Sequence, residues 1–294
     1  MKWMWLVVLI GVVLTVGVCM LILLSSTALV ETENCGRELP SVDSVPSSRW
    51  DVLGGKNVFF GHQSVGQNMV VGLSEILDEN PEIKLKIVES TEFNGVASGN
   101  FFHGKIGQNT RPVSKIEAFS EILTTNEGKT PEIALVKFCY VDLMARSDPV
   151  ELFEAYTTAM EALRKRIPEI VFIHVTIPIE SVSRGAKNMT KEGVKKVLRL
   201  PAVDERNLVR HRYNQMLRSR YEGKEPIFDI ARLESTDPQG CTVFRTVGSE
   251  EVPFMDASYT ADGGHLNKLA RKRIAEQLLI VLANAASPSE SPAS

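Results

Sequence analysis

This chain of 294 residues has few cysteines, no excess of charge of either sign and no internal repeat. Its four cysteines, Cys19, Cys35, Cys139 and Cys241, form no CxxC pair and join no histidine at metal-ligand spacing. That argues against a zinc site. Lysine and arginine total 33 against 36 acidic residues, for a formal net charge of −3. With no basic excess there is no reason to invoke nucleic acid. No GxSxG is present, so the nucleophile elbow of the α/β-hydrolases is missing as a motif. The remaining composition, 44% hydrophobic and 23% charged, is that of a globular protein. At about 150 residues per domain the length allows one or two domains.

The run from Trp3 to Leu24 contains no charged residue and is preceded only by Lys2 and the amino terminus. It reaches the roughly 20 residues a helix needs to span a bilayer. A cleavable signal core is usually about 7–15 residues. The reading is therefore a retained anchor within residues 1–30. Cleavage after Ala28 and lipid modification at Cys19 are the alternatives. The positive charge ahead of the run favours a cytoplasmic amino terminus and an exported remainder, where disulfides are permitted. Residues 31–50 are polar, with Pro40 and Pro46, and read as a linker. The tail 287–294 is Ser/Pro-rich and reads as disordered. Cys35 and Cys241 lie in loop-like sequence and are candidates to pair; Cys139 lies in an apolar run and reads as a buried thiol.

Between linker and tail, β-like runs alternate with helical periodicity. Strands are expected at Lys56–Phe60, Ile83–Glu89, Ile133–Tyr140, Ile170–Thr176 and Ile227–Ile230. Helices are expected at Val65–Leu77, Val113–Leu123, from Asp148-Pro149-Val150-Glu151 to Ile167, at Val203–Tyr221 and at Leu266–Leu282. The stretch from Ser90 to Pro112 reads as a loop. The alternation predicts one α/β domain, residues 51–286, around a mainly parallel sheet. In such sheets functional loops gather at the carboxyl ends of the strands. Ser64, the loop after Glu89, Asp142 and the loop holding Asp262 and His265 all fall on that edge.

Two motifs carry chemistry. In Gly61-His62-Gln63-Ser64-Val65-Gly66, Ser64 sits where an apolar strand turns into a helix. Free N–H groups there can support a developing negative charge. Taken alone, a serine at that point is an ordinary N-cap. Near the other end, Asp262-Gly263-Gly264-His265 precedes the last helix. A carboxylate three residues before a histidine can fix its tautomer and stabilise the imidazolium. A helix cap beside a surface histidine is the plainer alternative. Serine, aspartate and histidine together suggest a Ser–His–Asp hydrolase.

With these residues in place, the chain from about Lys56 to Ala283 resembles the SGNH (GDSL-like) hydrolases, in a variant with GHQSVG in place of the GDS block. The resemblance implies a flavodoxin-like three-layer α/β/α sandwich with a mainly parallel sheet. It implies a triad of Ser64, Asp262 and His265, and no metal or organic cofactor. An oxyanion hole would use the backbone N–H of Ser64 and of a glycine in Phe102-His103-Gly104-Lys105-Ile106-Gly107. Gly104 is preferred, with Gly107 as the alternative. The third block, usually GxND, reads Cys139-Tyr140-Val141-Asp142. Valine donates no hydrogen bond, and losing such a donor commonly costs about 2.7–4 kcal/mol of transition-state stabilisation. Asn68, Asn100, Asn109 and Gln63 are the candidate replacements. His62, Gln63, His103, Gly107, Asn109 and Asp142 are candidate pocket residues.

His174 reads as a core histidine and His211 as a solvated one. The basic segment Ser181–Arg199 reads as a surface insertion, with a lid or an anionic-polymer patch as alternatives. Asn188-Met189-Thr190 fits a glycosylation sequon. The expected function is an extracytoplasmic serine ester hydrolase acting on an O-acetylated glycan or similar ester. Its membrane contact would run through residues 3–24. An O-acyltransferase with the same triad and a non-catalytic glycan-binding or scaffold protein are the rival readings.

Overall fold

The computed structural model describes residues 30–93, 97–125, 130–182 and 202–287. The apolar run 3–24, Cys19, Ala28, the sequon, nearly all of the basic segment and all but the first residue of the tail lie outside them. Among the described residues no helix is long and apolar enough to cross a membrane.

The elements in chain order are β1 (Glu31–Glu33), α1 (Ser47–Gly54), β2 (Val58–His62), α2 (Val65–Glu79), β3 (Lys86–Glu89), β4 (Asn100–Lys105), α3 (Pro112–Thr125), β5 (Ile133–Val136), α4 (Pro149–Arg166), β6 (Val171–Val175), α5 (Val203–Tyr221), β7 (Ile227–Phe228), α6 (Ile230–Glu234), β8 (Thr242–Val247), β9 (Glu250–Pro253) and α7 (Lys268–Ala286). Strands β3-β4-β2-β5-β6-β7 form one parallel sheet, as the alternation predicts.

Because successive strand residues face opposite sides, β2 feeds two cores. Val58 and Phe60 join Leu135, Ile173, Met69, Leu73, Ile274 and Leu278 on the face covered by α2 and α7. Phe59 joins Phe102, Val136, Phe119, Tyr156 and Tyr213 on the face covered by α3, α4 and α5. The result is the three-layer sandwich. Each fully buried phenylalanine contributes about 1.5–3 kcal/mol by leaving water. On the first face α2 and α7 approach closely at Gly72, where an added Cβ would lie 2.3 Å from the Arg271 carbonyl oxygen.

Three expectations change. The loop read after Glu89 contains β4, whose residues from Asn100 to Gly104 are all buried. A strand covered on both faces shows no polar/apolar alternation. The strand expected to Tyr140 ends at Val136, because the chain turns at Tyr140–Asp142 into a single 3₁₀ turn. Residues 31–50 do not form a free linker. β1 pairs with β8 of the antiparallel sheet β1-β8-β9, Cys35 is bonded to Cys241, and Trp50 is buried at the end of that stretch.

Candidate active site

Ser64 lies between the last residue of β2 and the first of α2, at φ 42° and ψ −104°. That region is costly for a residue with a Cβ, on the order of 1–3 kcal/mol, and its neighbours hold it there. The Gly66 N–H donates to the Gln63 carbonyl at 2.9 Å and the Gln67 N–H to that of Ser64 at 2.8 Å. The Ser64 side chain caps no backbone N–H, which removes the ordinary reason for a serine at this point. Its Oγ lies 2.6 Å from His265 Nε2.

His265 Nδ1 is 2.6 Å from Asp262 Oδ2. Asp262 Oδ1 accepts from the backbone N–H groups of Gly264 at 3.0 Å and His265 at 2.8 Å. Partial burial pushes the Asp262 carboxyl up. The two backbone donors and the ring outweigh it and hold the group well below the usual carboxylate range. A carboxylate held ionised at Nδ1 fixes the tautomer: Nδ1–H donates to Asp262, and Nε2 is left to accept from Ser64. Gly263 adopts φ 96° in this turn. A Cβ on Gly264 would fall 2.7 Å from the Tyr140 ring, so that glycine lets Tyr140 meet the His265 ring edge-on, with centroids 5.8 Å apart. His265 and Asp262 have 44% and 58% of their side-chain surface exposed, so the group opens to solvent at the carboxyl edge of the sheet.

β2 lies between β4 and β5. The loops after those two strands therefore flank Ser64, and they meet across it. The Thr110 N–H donates to Asp142 Oδ1 at 2.8 Å. Lys115 Nζ donates to Asp142 Oδ2 at 2.5 Å and to Asn109 Oδ1 at 2.9 Å, with Lys115 and Asp142 fully buried. Gln63 Nε2 donates to the carbonyls of Ile106 at 3.3 Å and Gly107 at 3.1 Å. From beneath, the Cys139 thiol donates to the Gln63 carbonyl at 3.5 Å. Cys139 is a buried free thiol, as its apolar run suggests.

Several candidate pocket residues have other places. His62 and His103 are 0% and 4% exposed, with His62 Nε2 3.1 Å from His103 Nδ1. Burial, with Lys137 and His103 nearby, lowers His62 to about 3, and burial lowers His103 as well. The pair is a neutral buried contact, out of reach of a substrate. Asp142 is likewise buried in its ion pair, and Gln63 is bonded to loop carbonyls. Gly104 lies inside β4 in register with Gly61. The Ile106 N–H donates to the His62 carbonyl on β2, and the two-residue repeat of a parallel ladder turns the Gly104 N–H toward β2 too. Gly107 lies past the strand at φ 59°. Neither its N–H nor that of Ser64 makes a hydrogen bond among the described residues. His211, read as solvated, is partly buried, with Nδ1 buried and unbonded.

Sequence reading missed Lys115, Lys137 and the His62–His103 contact. An unbroken Phe101-Phe102 pair beside His103 was the available signal for the strand that builds that contact. Among the described residues no cluster of three or more His, Cys, Asp or Glu side chains is arranged to hold a metal ion.

No known family profile matches the chain, and no curated protein matches it. Solved structures resemble it distantly. The periplasmic domain of a lipopolysaccharide acetyltransferase from Salmonella ser. Paratyphi A is 13% identical, with a TM-score of 0.39 over 78% of this chain and 84% of that one. A candidate lipolytic protein of the G-D-S-L family from Desulfitobacterium hafniense DCB-2 is 11% identical, with a TM-score of 0.38 over 76% and 98%. An acetyl esterase mutant with acetate ion is 14% identical, with a TM-score of 0.38 over 79% and 99%.

Proposed function

We propose that the chain is a serine ester hydrolase of SGNH type that removes O-acyl groups, acetyl foremost, from a carbohydrate or similar ester. One observation carries the reading: an uncapped, strained serine hydroxyl within 2.6 Å of an imidazole whose far nitrogen is 2.6 Å from a carboxylate. Ser64 Oγ attacks the ester carbonyl carbon while His265 Nε2 takes its proton. Asp262 stabilises the imidazolium without accepting the proton. The tetrahedral oxyanion faces the free N–H groups of Ser64 and Gly107. Collapse breaks the ester C–O bond, and His265 returns the proton to the leaving alcohol. Water then enters through the same histidine, frees the acid and restores Ser64. This chemistry calls on no metal or organic cofactor.

The exposed triad suits an ester carried on a large or surface-bound molecule. We further read the domain as exported and held at the membrane by residues 3–24. The Cys35–Cys241 disulfide is at home in an oxidising compartment, and the charge-free run has the length of a span.

The test is hydrolysis of p-nitrophenyl acetate and of an O-acetylated glycan by the full chain and by Ser64→Ala. Turnover should fall by about 10⁶-fold in the variant. Undiminished turnover would sink the mechanism. Acyl transfer to added sugar in preference to water would make the enzyme a transferase.

A further inference from the structure

The third-block position that would carry an asparagine holds Val141, in the 3₁₀ turn Tyr140–Asp142. With valine there, that position offers a developing oxyanion no side-chain donor. We propose that Asn109, from the loop on the opposite side of Ser64, supplies that donor, and that the buried Lys115–Asp142 pair holds it in place. The inference rests on the serine-esterase reading above.

Four amides are candidates for the donor. Asn100 stands at the first residue of β4, where its Nδ2 donates to Asn57 Oδ1 at 3.0 Å. That is the amino edge of the sheet, a strand's length from Ser64. Gln63 has its amide nitrogen engaged by the Ile106 and Gly107 carbonyls. Asn68 lies one turn into α2, with its Oδ1 buried and bonded to nothing; no group fixes its amide.

Asn109 differs from all three. Its Oδ1 accepts from Lys115 Nζ at 2.9 Å, which sets which end of the amide is the carbonyl. Its Nδ2 makes no hydrogen bond among the described residues, and the residue is exposed on the loop after β4. The next residue, Thr110, is held in the left-handed region at φ 66°, and its N–H donates to Asp142 Oδ1. The 109–110 segment is thus gripped from two sides by one buried ion pair. A buried pair is stable only when its remaining valences are satisfied. Here Asn109, Thr110 and the Cys139 N–H, at 2.6 Å from Asp142 Oδ2, do that. The arrangement also gives Asp142 a task beside Val141: it ties the loop after β4 to the loop after β5 across the end of β2. A donor fixed before the reaction costs no reorganisation as charge develops. In this scheme Asn109 is a catalytic residue, while Lys115 and Asp142 are positioning residues.

The experiment compares full-length wild type with Asn109→Ala, Asn109→Asp and Asn68→Ala on p-nitrophenyl acetate, with thermal midpoints measured in parallel. Asn109→Asp keeps an oxygen for Lys115 but cannot donate, so it separates donation from loop support. Asn109→Ala should lower kcat by about 10²–10³-fold with KM changed less than about threefold. Asn109→Asp should lose at least as much while its thermal midpoint stays that of wild type. Asn68→Ala should stay within about threefold of wild type. If wild type turns over and Asn109→Ala keeps more than about a third of its kcat, the inference falls and the esterase reading stands. It falls equally if Asn109→Asp is fully active, or if Asn68→Ala carries the loss. Absence of Ser64-dependent turnover in the wild type would overturn the esterase reading and this inference with it.

Discussion

His265 and His174 each lie between a carboxylate and a hydroxyl. Around His265 the partners are Asp262 and Ser64, both at 2.6 Å. Around His174 they are Glu225 at 3.0 Å on Nε2 and the Tyr156 hydroxyl at 2.8 Å on Nδ1. The carboxylate and hydroxyl recur with the ring nitrogens exchanged, and His174 Nε2 also meets the Arg164 guanidinium at 3.3 Å. What differs is the surroundings. The His174 side chain is 0% exposed, against 44% for His265, and it stacks on Tyr221 with centroids 3.5 Å apart. Burial lowers His174 to about 4 against the pull of Glu225. Burial also raises the Tyr156 phenol well above its ordinary range. A buried phenol against a buried imidazole is a packing group. The Ser64 hydroxyl stands instead at a strained turn on the open edge of the sheet. An acid, an imidazole and a hydroxyl become reactive through place, not through identity.

The comparison can be broken most forcefully at Asp262. Asp262→Asn should lower kcat by about 10⁴-fold through loss of the working tautomer, with the thermal midpoint nearly unchanged. A drop of less than about tenfold in steady-state assays would mean that the carboxylate is merely a helix-entry cap. The matching change on the buried side, Tyr156→Phe, leaves His174 Nδ1 without its donor. It should cost about 1–3 kcal/mol of stability in chemical denaturation and leave kcat as it was. A kinetic defect there would erase the distinction between the two sites.

Acid sensitivity supplies a further test. His174 stays neutral in the fold down to about 4, whereas in the unfolded chain it takes a proton near its ordinary 6.5. Between those values the unfolded state binds more protons, so stability rises with pH across this window and is lost as pH falls from 6.5 toward 4. Thermal midpoints at pH 6.5 and 4.5 should therefore lie closer together in His174→Gln than in wild type. His62, held at about 3 by burial, keeps some of the slope in both.

The candidate Ser64 site and the core place of His174, 0% exposed, are both legible in the sequence, whereas β4 and the contacts it builds are not. Ser64 and the Asp262-x-x-His265 spacing are local patterns at element boundaries, and the alternation of runs puts both on one edge. β4 carries no strand signal because burial on both faces removes its alternation, and its glycine and asparagine mimic a loop. The His62–His103 contact depends on register: His103 is opposite Phe60, two residues before His62 on the same face of β2. No local pattern sets a register between residues 41 apart in the chain. The tie from Lys115 to Asp142 and Asn109 was hidden for the same reason. Lysine on a helix ordinarily reads as solvated, and only the meeting of two loops over β2 buries this one.

The most direct measurement of the central claim is labelling of the full chain with a fluorophosphonate, with the adduct located by peptide mass spectrometry. An activated serine gives one adduct, on Ser64, abolished by His265→Ala and retained in Tyr156→Phe. A folded protein that takes no label, or takes it anywhere but Ser64, would contradict the account.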